Sequence, residues 1–427
     1  MRNEWEITRI GDLGRVITGK TPPTDTPENF YGKYLFITPR DMVGSKNVHI
    51  TERTVSDRGA SLLKNCILPA KAICVSCIGS DMGKVVMTTK ESITNQQLNS
   101  VICKESYNPA FIYYAITNIS EELRNVAFQS TAVPILNKSS FSDFTIFCPP
   151  LPTQKAIAHI LGTLDDKIEL LHQMNETLEA IARALFKSWF VDFDPVRKKA
   201  ESLPTGLPPE IDALFPDCLE DSELGEIPKG WEIGSIKQFC TAINEQLSPD
   251  QFTGTENYVG LEHIPRKSIA LSDFGTSEDL ESNKAQFTED DILFGKLRPY
   301  FHKVVFAPAS GICSTDILVI RPCDSDYFGF CLMHLSSEAV IEHATSYSNG
   351  TKMPRASWND IQAYKVLVPP QKLIQFYNSI SIYQLKLIKY NIQENKELVK
   401  IRDSLLPKLI SGDLEVKDID KILEPAT

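Results

Sequence analysis

Apolar residues along this chain come in short bursts, except in two places where they settle into a long regular stripe. The bursts include "YLFITP" (34–39), "VVMTT" (85–89), "SVIC" (100–103), "NYVGL" (257–261), "KVVFA" (303–307) and "ILVIRP" (317–322). They are rich in β-branched residues and end at Gly, Pro, Asn or Asp, which predicts strands. Helical patterns lie between them, such as "PAFIYYAITNISEELRNVA" (109–127), where Pro109 suits the first turn of a helix. Two stretches of the chain therefore read as mixed α and β domains.

The first stripe runs Leu161, Leu164, Ile168, Leu171, Asn175, Leu178, Ala182, Leu185, in alternating steps of three and four. The second offers Leu385, Ile388, Ile392, Asn395, Leu398, Ile401, Leu405. A heptad stripe this long and narrow wants a partner helix along its length. The reading is an intramolecular pair, with each helix packing on its own domain as the alternative. Asn175 and Asn395 fall at equivalent seam positions, where a polar residue fixes register and excludes other pairings.

The pattern also repeats. "WEITRI" stands at 5–10 and "WEIGSI" at 231–236, an offset of 226 that also brings Ile17 to Ile243 and Pro23 to Pro249. Further on, "ICVSCIGSDMGKVVM" (73–87) aligns with "ILFGKLRPYFHKVVF" (292–306) at an offset of 219. Then "STAVP" (130–134) meets "GTKMP" (350–354), and "CPPLPTQK" (148–155) meets "VPPQK" (368–372). Last, "NETLEAIARALF" (175–186) meets "NKELVKIRDSLL" (395–406). Matches in one order along the whole chain mean an internal duplication. Two copies with different interior residues imply one scaffold reading two different things. The expected division is a mixed domain at 1–150, a helix at 151–190, a second mixed domain at 231–370, a helix at 371–412 and a tail at 413–427. Residues 191–230 are rich in proline and acids and read as a linker without its own core.

Composition narrows the function. The net charge of −11 argues against a general nucleic-acid binder, but it is unevenly spread. Residues 1–150 carry 16 Lys and Arg against 14 acids, whereas 151–230 carry 8 against 15. A DNA-binding face must then be assembled locally, or a partner must supply much of the phosphate contact. The start "MRNEWEITRI" has no apolar core of a signal peptide, and no window approaches a membrane span. A cytoplasmic protein is the expectation. Only Cys74 and Cys77 of the ten cysteines have C-x-x-C spacing, with no second pair or histidines to complete a zinc site, so buried free thiols are expected and no metal.

Three stretches invite an enzymatic reading. "NPAF" (108–111) is near the N-P-P-F of adenine methyltransferases, but Ala110 replaces a proline and no Gly-rich loop precedes it; it reads as a helix start. "GSDMGKV" (79–85) is one residue short of a P-loop and has Val85 where Ser or Thr belongs, so it reads as a turn between strands. The seven histidines show no catalytic spacing. A single-chain methyltransferase or nuclease with duplicated recognition domains is the alternative, and it lacks a cofactor loop. A purely structural rod explains the helices but not the duplicated domains.

If the helices pair antiparallel, the two domains sit at opposite ends in a pseudo-two-fold arrangement, an α+β architecture. A helix of about 38 residues spans roughly 57 Å. Domains held so could each reach a major groove on one face of DNA, with the helix pair as a ruler between two different half-sites. "WFVDFDPVRKK" (189–199), "ELGEIPKGWEI" (223–233), "NQQLN" (95–99), "PPLPTQKAIAHILGTLDDKIELL" (149–171) and "LLPKLISGDL" (405–414) carry a resemblance over nearly the whole chain. The chain resembles the specificity subunit of type I restriction–modification systems. The resemblance implies two target-recognition domains separated by two spacer helices, a bipartite DNA target and no catalysis in this chain. It also implies two modification subunits that methylate adenine with S-adenosylmethionine, and ATP- and Mg-dependent restriction subunits joined through them.

Base edges are read by Arg, Lys, Asn and Gln, and phosphates by Lys, Arg, Ser and Thr. Candidates in the first domain are Lys20, Thr21, Arg40, Lys84, Gln96, Gln97, Thr131 and Lys138. In the second they are Lys296, Arg298, Lys303, Asn349, Thr351, Lys352 and Arg355. For each alone, a solvated surface charge is the plainer reading. The loops 130–138 and 348–355 stand out because both copies place them alike. The modification subunit is expected to grip apolar residues off the seam, namely Ile157, Ile160, Phe186, Trp189 and Phe190, unless these only pack on the adjacent domain.

Overall fold

In the computed structural model, residues 5–128, 135–278, 280–348 and 353–416 are described. The chain forms two compact units: residues 1–169 with 397–427, and residues 170–396.

The first unit is built on a five-stranded sheet whose spatial order is Gly14–Thr18, Leu98–Cys103, Ile73–Ser76, Val85–Thr88 and Asn47–Val48. Beside it, Phe30–Ile37 pairs with Thr54–Val55 and, in parallel, with Ser92–Thr94. Helix Pro109–Asn118 covers the sheet with a wholly buried run from Phe111 to Ile116. The opening strand Glu6–Arg9 pairs antiparallel with Thr145–Cys148, directly before the first long helix.

The second unit repeats the centre of this plan, with four strands for five in the main sheet and five for three in the other. Cys240–Ile243, Ile317–Pro322, Ile292–Gly295 and Val304–Phe306 lie in the same order as their counterparts. Asn257–Val259 pairs in parallel with Gly311–Cys313, as Phe30–Ile37 does with Ser92–Thr94. Glu232–Ser235 pairs antiparallel with Lys365–Val368, before the second long helix. The duplication read from the sequence is thus a duplication of topology. The offset of 219 between 73–87 and 292–306 superposes a strand, a turn and a strand.

The long helices are Leu151–Phe190, 40 residues, and Gln371–Ser411, 41 residues. Within the second unit Asn175 meets Asn391, His172 meets Asn395, and the Tyr377 hydroxyl donates to the Ala182 carbonyl. Partner numbers fall as helix numbers rise, so the segments run antiparallel. In the first unit Arg402 donates to Asp165, and Leu161 shares a core with Leu405 and Leu409. Of the seam residues, Leu161, Ile168, Leu171, Asn175, Leu385, Ile388 and Ile392 are buried, and Leu164, Leu178, Leu185, Leu398 and Leu405 half-buried.

Three expectations need correction. The buried partner of Asn175 is Asn391, 2% exposed, while Asn395 lies nearer solvent and bonds His172; Ile401 is exposed. Second, residues 191–230 are not a loose linker. Phe193, Val196, Ile211, Phe215, Ile227 and Trp231 belong to the second unit's core. Helix Asp194–Ala200 and the hairpin Leu219–Ser222 with Gly225–Pro228 hold them there. Apolar and aromatic residues spaced among the prolines supply enough surface to fold against a neighbour. Third, the compact units do not follow the linear division, since the boundary cuts both long helices at 169/170 and 396/397. The first unit's core is completed by Leu409 and Ile410, with Leu405, Leu406, Leu414 and Val416 packed on it.

Candidate nucleic-acid interface

Strand registers decide which loops share an edge. In the first unit Thr18 lies opposite Asn99, Ser76 opposite Leu98, and Ile37 beside Thr94. The segments that follow Thr18, Ile37, Ser76 and Thr94 therefore emerge together. They are Gly19–Thr21, Thr38–Asp41, Cys77–Lys84 and Asn95–Gln97. A fifth segment joins them, because Leu136 N donates to the Cys77 carbonyl at 2.9 Å and Ile135 bridges Ile78. One edge thus gathers Lys20, Thr21, Arg40, Lys84, Gln96 and Gln97, with Lys138 two residues beyond Leu136.

The second unit gathers the corresponding loops by the same registers: Ile243 opposite Val319, Gly295 opposite Ile317, and Val259 beside Cys313. Its edge holds Lys296, Arg298, Lys303 and Arg355. Leu297 bridges Arg355, the counterpart of Ile78 with Ile135. Thr131, Asn349, Thr351 and Lys352 lie outside the described residues.

Local bonds fix several of these side chains. Asp41 caps the turn after Thr38, accepting from Thr38 N at 2.8 Å, Thr38 Oγ1 at 2.7 Å and Glu52 N at 2.8 Å, which leaves exposed Arg40 outside that network. Thr21 donates to Gln96 Oε1 at 2.8 Å, so the exposed Gln96 keeps its amide N–H groups for another acceptor. Asn95 Nδ2 donates to Gln97 Oε1 at 2.8 Å. Arg40, Arg53, Asn95 and Gln97 line one polar cleft of about 360 Å³ with Asp41, Glu52 and Asp81. Three expected cations already have protein partners: Lys84 pairs with Asp81 at 2.7 Å, Arg355 with Asp316 at 3.1 Å, and Lys303 donates to the Leu261 carbonyl. Burial pushes the Lys303 ammonium pKa down.

The turn after Ser76 is left-handed at Gly79 and Gly83, with φ of 88° and 89°. An offset of 219 carries these positions to Arg298 and His302, whose φ values are 52° and 53°. The second copy keeps the backbone but not the glycines. For residues with a Cβ that conformation costs roughly 1–2 kcal/mol each. His302 is buried, and its Nε2 lies 2.9 Å from the Ser336 carbonyl oxygen, which helps to hold the turn. Arg298 is half-buried at the interface edge, with its N–H donating to the Pro354 carbonyl at 2.8 Å. Sequence alignment paired these residues, but only the dihedrals show the strain.

The expected partner-binding residues are placed otherwise. Ile157 is buried and Ile160 packs on the first unit's core. Phe186, Trp189 and Phe190 are 5%, 3% and 6% exposed, in an aromatic cluster with Phe330 and Tyr377. They pack on their own units. "NPAF" is a helix start, where Asn108 Oδ1 accepts from Phe111 N at 3.0 Å. Cys74 and Cys77 are buried thiols, pushed up by burial to about 12 and about 11. No helix among the described residues is long and apolar enough to cross a membrane.

Two similar edges with different side chains define a class of protein that reads a ligand twice from one scaffold. The profile described as "Type I restriction modification DNA specificity domain" matches residues 2–180 and 228–398, one copy in each half. The chain belongs to the type I restriction modification DNA specificity family. It is a non-catalytic specificity subunit with two DNA-recognition domains, a component that works with other subunits and with DNA. It is 28% identical over 432 residues to the type I restriction enzyme MjaIX specificity subunit of Methanocaldococcus jannaschii, covering 97% of this chain and 95% of that one. It is 27% identical to the HindI specificity subunit of Haemophilus influenzae, covering 96% and 100%. The solved structure of a type I restriction–modification S subunit from M. genitalium has the same fold, with a TM-score of 0.56, 17% identity and coverage of 95% and 96%.

Proposed function

We propose that each unit reads one half of a bipartite DNA sequence through its gathered sheet edge, so that the two half-sites differ. The observation that carries this is the pair of edges. The main-chain frame is the same, but Asn95, Gln96 and Gln97 in one copy stand where Ser314, Thr315 and Asp316 stand in the other. Amides suit adenine edges, whereas Arg and acids suit guanine and cytosine.

In this proposal two modification subunits bind the chain and methylate adenine with S-adenosylmethionine, and restriction subunits using ATP and Mg join through them in the cytoplasm. The net charge of −11 fits a complex whose partners share the phosphate contacts. The test is co-expression with the cognate modification subunit in a host without DNA methylation, followed by sequencing for N6-methyladenine. One bipartite motif, absent when this chain is omitted, is expected. Methylation by this chain alone, or a single undivided motif, overturns the proposal.

A further inference from the structure

We propose that Arg355, oriented by Asp316, is the side chain with which the second unit reads a guanine in its half-site. The inference rests on the reading of that edge as the DNA face.

The backbone at Arg355 is pinned on both sides. Arg298 N donates to the Pro354 carbonyl at 2.8 Å, Ala356 N donates to the Lys296 carbonyl at 2.9 Å, and Arg355 itself bridges Leu297. The guanidinium is held in turn. Its Nε donates to Asp316 Oδ1 at 3.1 Å, and the Arg355 side chain remains 52% exposed. Asp316 is fixed from two directions, donating its N–H to Ser314 Oγ at 3.2 Å and accepting from Lys296 N at 2.9 Å on its carbonyl. Among the described residues the guanidinium bonds no other group. With Nε occupied, both Nη groups remain as a planar fork of donors.

The first unit shows that this ion pair is not needed to hold the loops together. There the same bridge joins Ile78 to Ile135, and Gln97 occupies the place of Asp316. The main-chain ladder forms without a charge in either position. An exposed pair of this kind contributes little to stability. Its value lies in orientation, because it removes rotamer freedom from an arginine before any ligand arrives. The planar fork of the two Nη groups matches the O6 and N7 acceptors that guanine presents in the major groove. A phosphate would be met as well by an unbuttressed lysine, so the Asp316 support favours a base edge over the backbone.

The experiment is the same methylation assay on the full complex, run with the unaltered chain, Arg355→Gln, Arg355→Lys and Asp316→Asn. Thermal unfolding of each purified complex controls for folding. The unaltered chain should give a bipartite motif containing a G·C pair whose recognition depends on residue 355. In both Arg355 variants preference at that one position should fall, on the order of ten- to a hundredfold, with the other half-site unchanged. Asp316→Asn should relax the same position less. If Arg355→Gln keeps the full motif, or if all sites weaken equally with base preference intact, the side chain does not read a base and the proposal fails. If the unaltered chain yields no bipartite motif, the functional reading fails first and this inference with it. A changed position that is A·T in the unaltered motif overturns only the inference.

Discussion

Asn391 donates its side-chain amide to Asn175 Oδ1 at 2.8 Å, and the two residues are 2% and 9% exposed between the long helices of the second unit. A buried amide pair in an apolar seam gives up stability to specify register. Asn391→Leu leaves Asn175 buried without this partner and should cost about 1–3 kcal/mol in urea unfolding. The double replacement of both residues by Leu should recover most of that loss. A single variant as stable as the parent would show that the pair is not coupled.

In the first unit, Asp165 is held by the Tyr114 hydroxyl at 2.6 Å and by Arg402 Nη1 at 3.1 Å, and its side chain is 9% exposed. Arg402→Met removes the counter-charge and should destabilise the protein by about 3 kcal/mol. Tyr114→Phe should cost about 1 kcal/mol. Chemical denaturation checks both, and the larger loss must belong to Arg402.

The segment 191–230 gives a test of its correction. Phe193 is 7% exposed and stacks edge-on against Trp231, ring centroids 5.9 Å apart. Phe193→Ala should cost about 3–4 kcal/mol of unfolding free energy, as a core deletion does. A loose tether would tolerate it, so an unchanged midpoint would restore the linker reading.

His334 lies edge-on to Phe186 and Phe330, at centroid distances of 4.7 and 4.5 Å, and its Nε2 has no hydrogen-bond partner among the described residues. Burial pushes its pKa down to about 3. The unfolded chain then binds the proton more readily, so stability is present above about pH 6.5 and falls as the pH drops toward 3. The loss should be on the order of 1 kcal/mol by pH 5.5, and His334→Leu should flatten that part of the stability profile. A slope that survives the substitution would place the titration elsewhere.

Arg298 has the left-handed backbone that Gly79 adopts in the first copy. Arg298→Gly relieves roughly 1–2 kcal/mol of strain but adds roughly 0.5–1 kcal/mol of unfolded-chain entropy. Stability should therefore hold or rise slightly. DNA affinity of the assembled complex should fall at the same time, measured at physiological salt. A variant that loses stability and keeps affinity would make Arg298 a structural residue.

The duplication and the long helices were legible because they rest on local pattern. Strand runs, the Pro109 start and the alternating seam need no partner to be recognised, and the offset of 219 carried the strand–turn–strand match intact. What failed depended on the partner surface. Sequence equivalence marked Asn175 and Asn395 as matching seam positions, but which residue meets Asn175 depends on the antiparallel register, and Asn391 is the one that arrives. Prolines and acids masked the aromatics of 191–230, which the second unit buries. Phe186, Trp189 and Phe190 belong to a core their helical spacing does not reveal, because nothing in that spacing shows the wall they face. The interface edge was half legible: its cations could be named, but Asp316 and the Leu261 carbonyl, which hold two of them, come from other loops, while Asp81 holds Lys84 from within its own turn.

The split of the first unit also orders events during synthesis. Its core requires Leu409 and Ile410, more than 200 residues after the sheet they complete, whereas residues 170–396 form one uninterrupted stretch. As the nascent chain lengthens, the second unit has all its parts first, and the unit whose strands left the ribosome earliest waits with an open face. A nascent chain that has emerged as far as residue 396 would carry a complete second unit and an incomplete first one. That interval is when a chaperone would find exposed apolar surface on this chain.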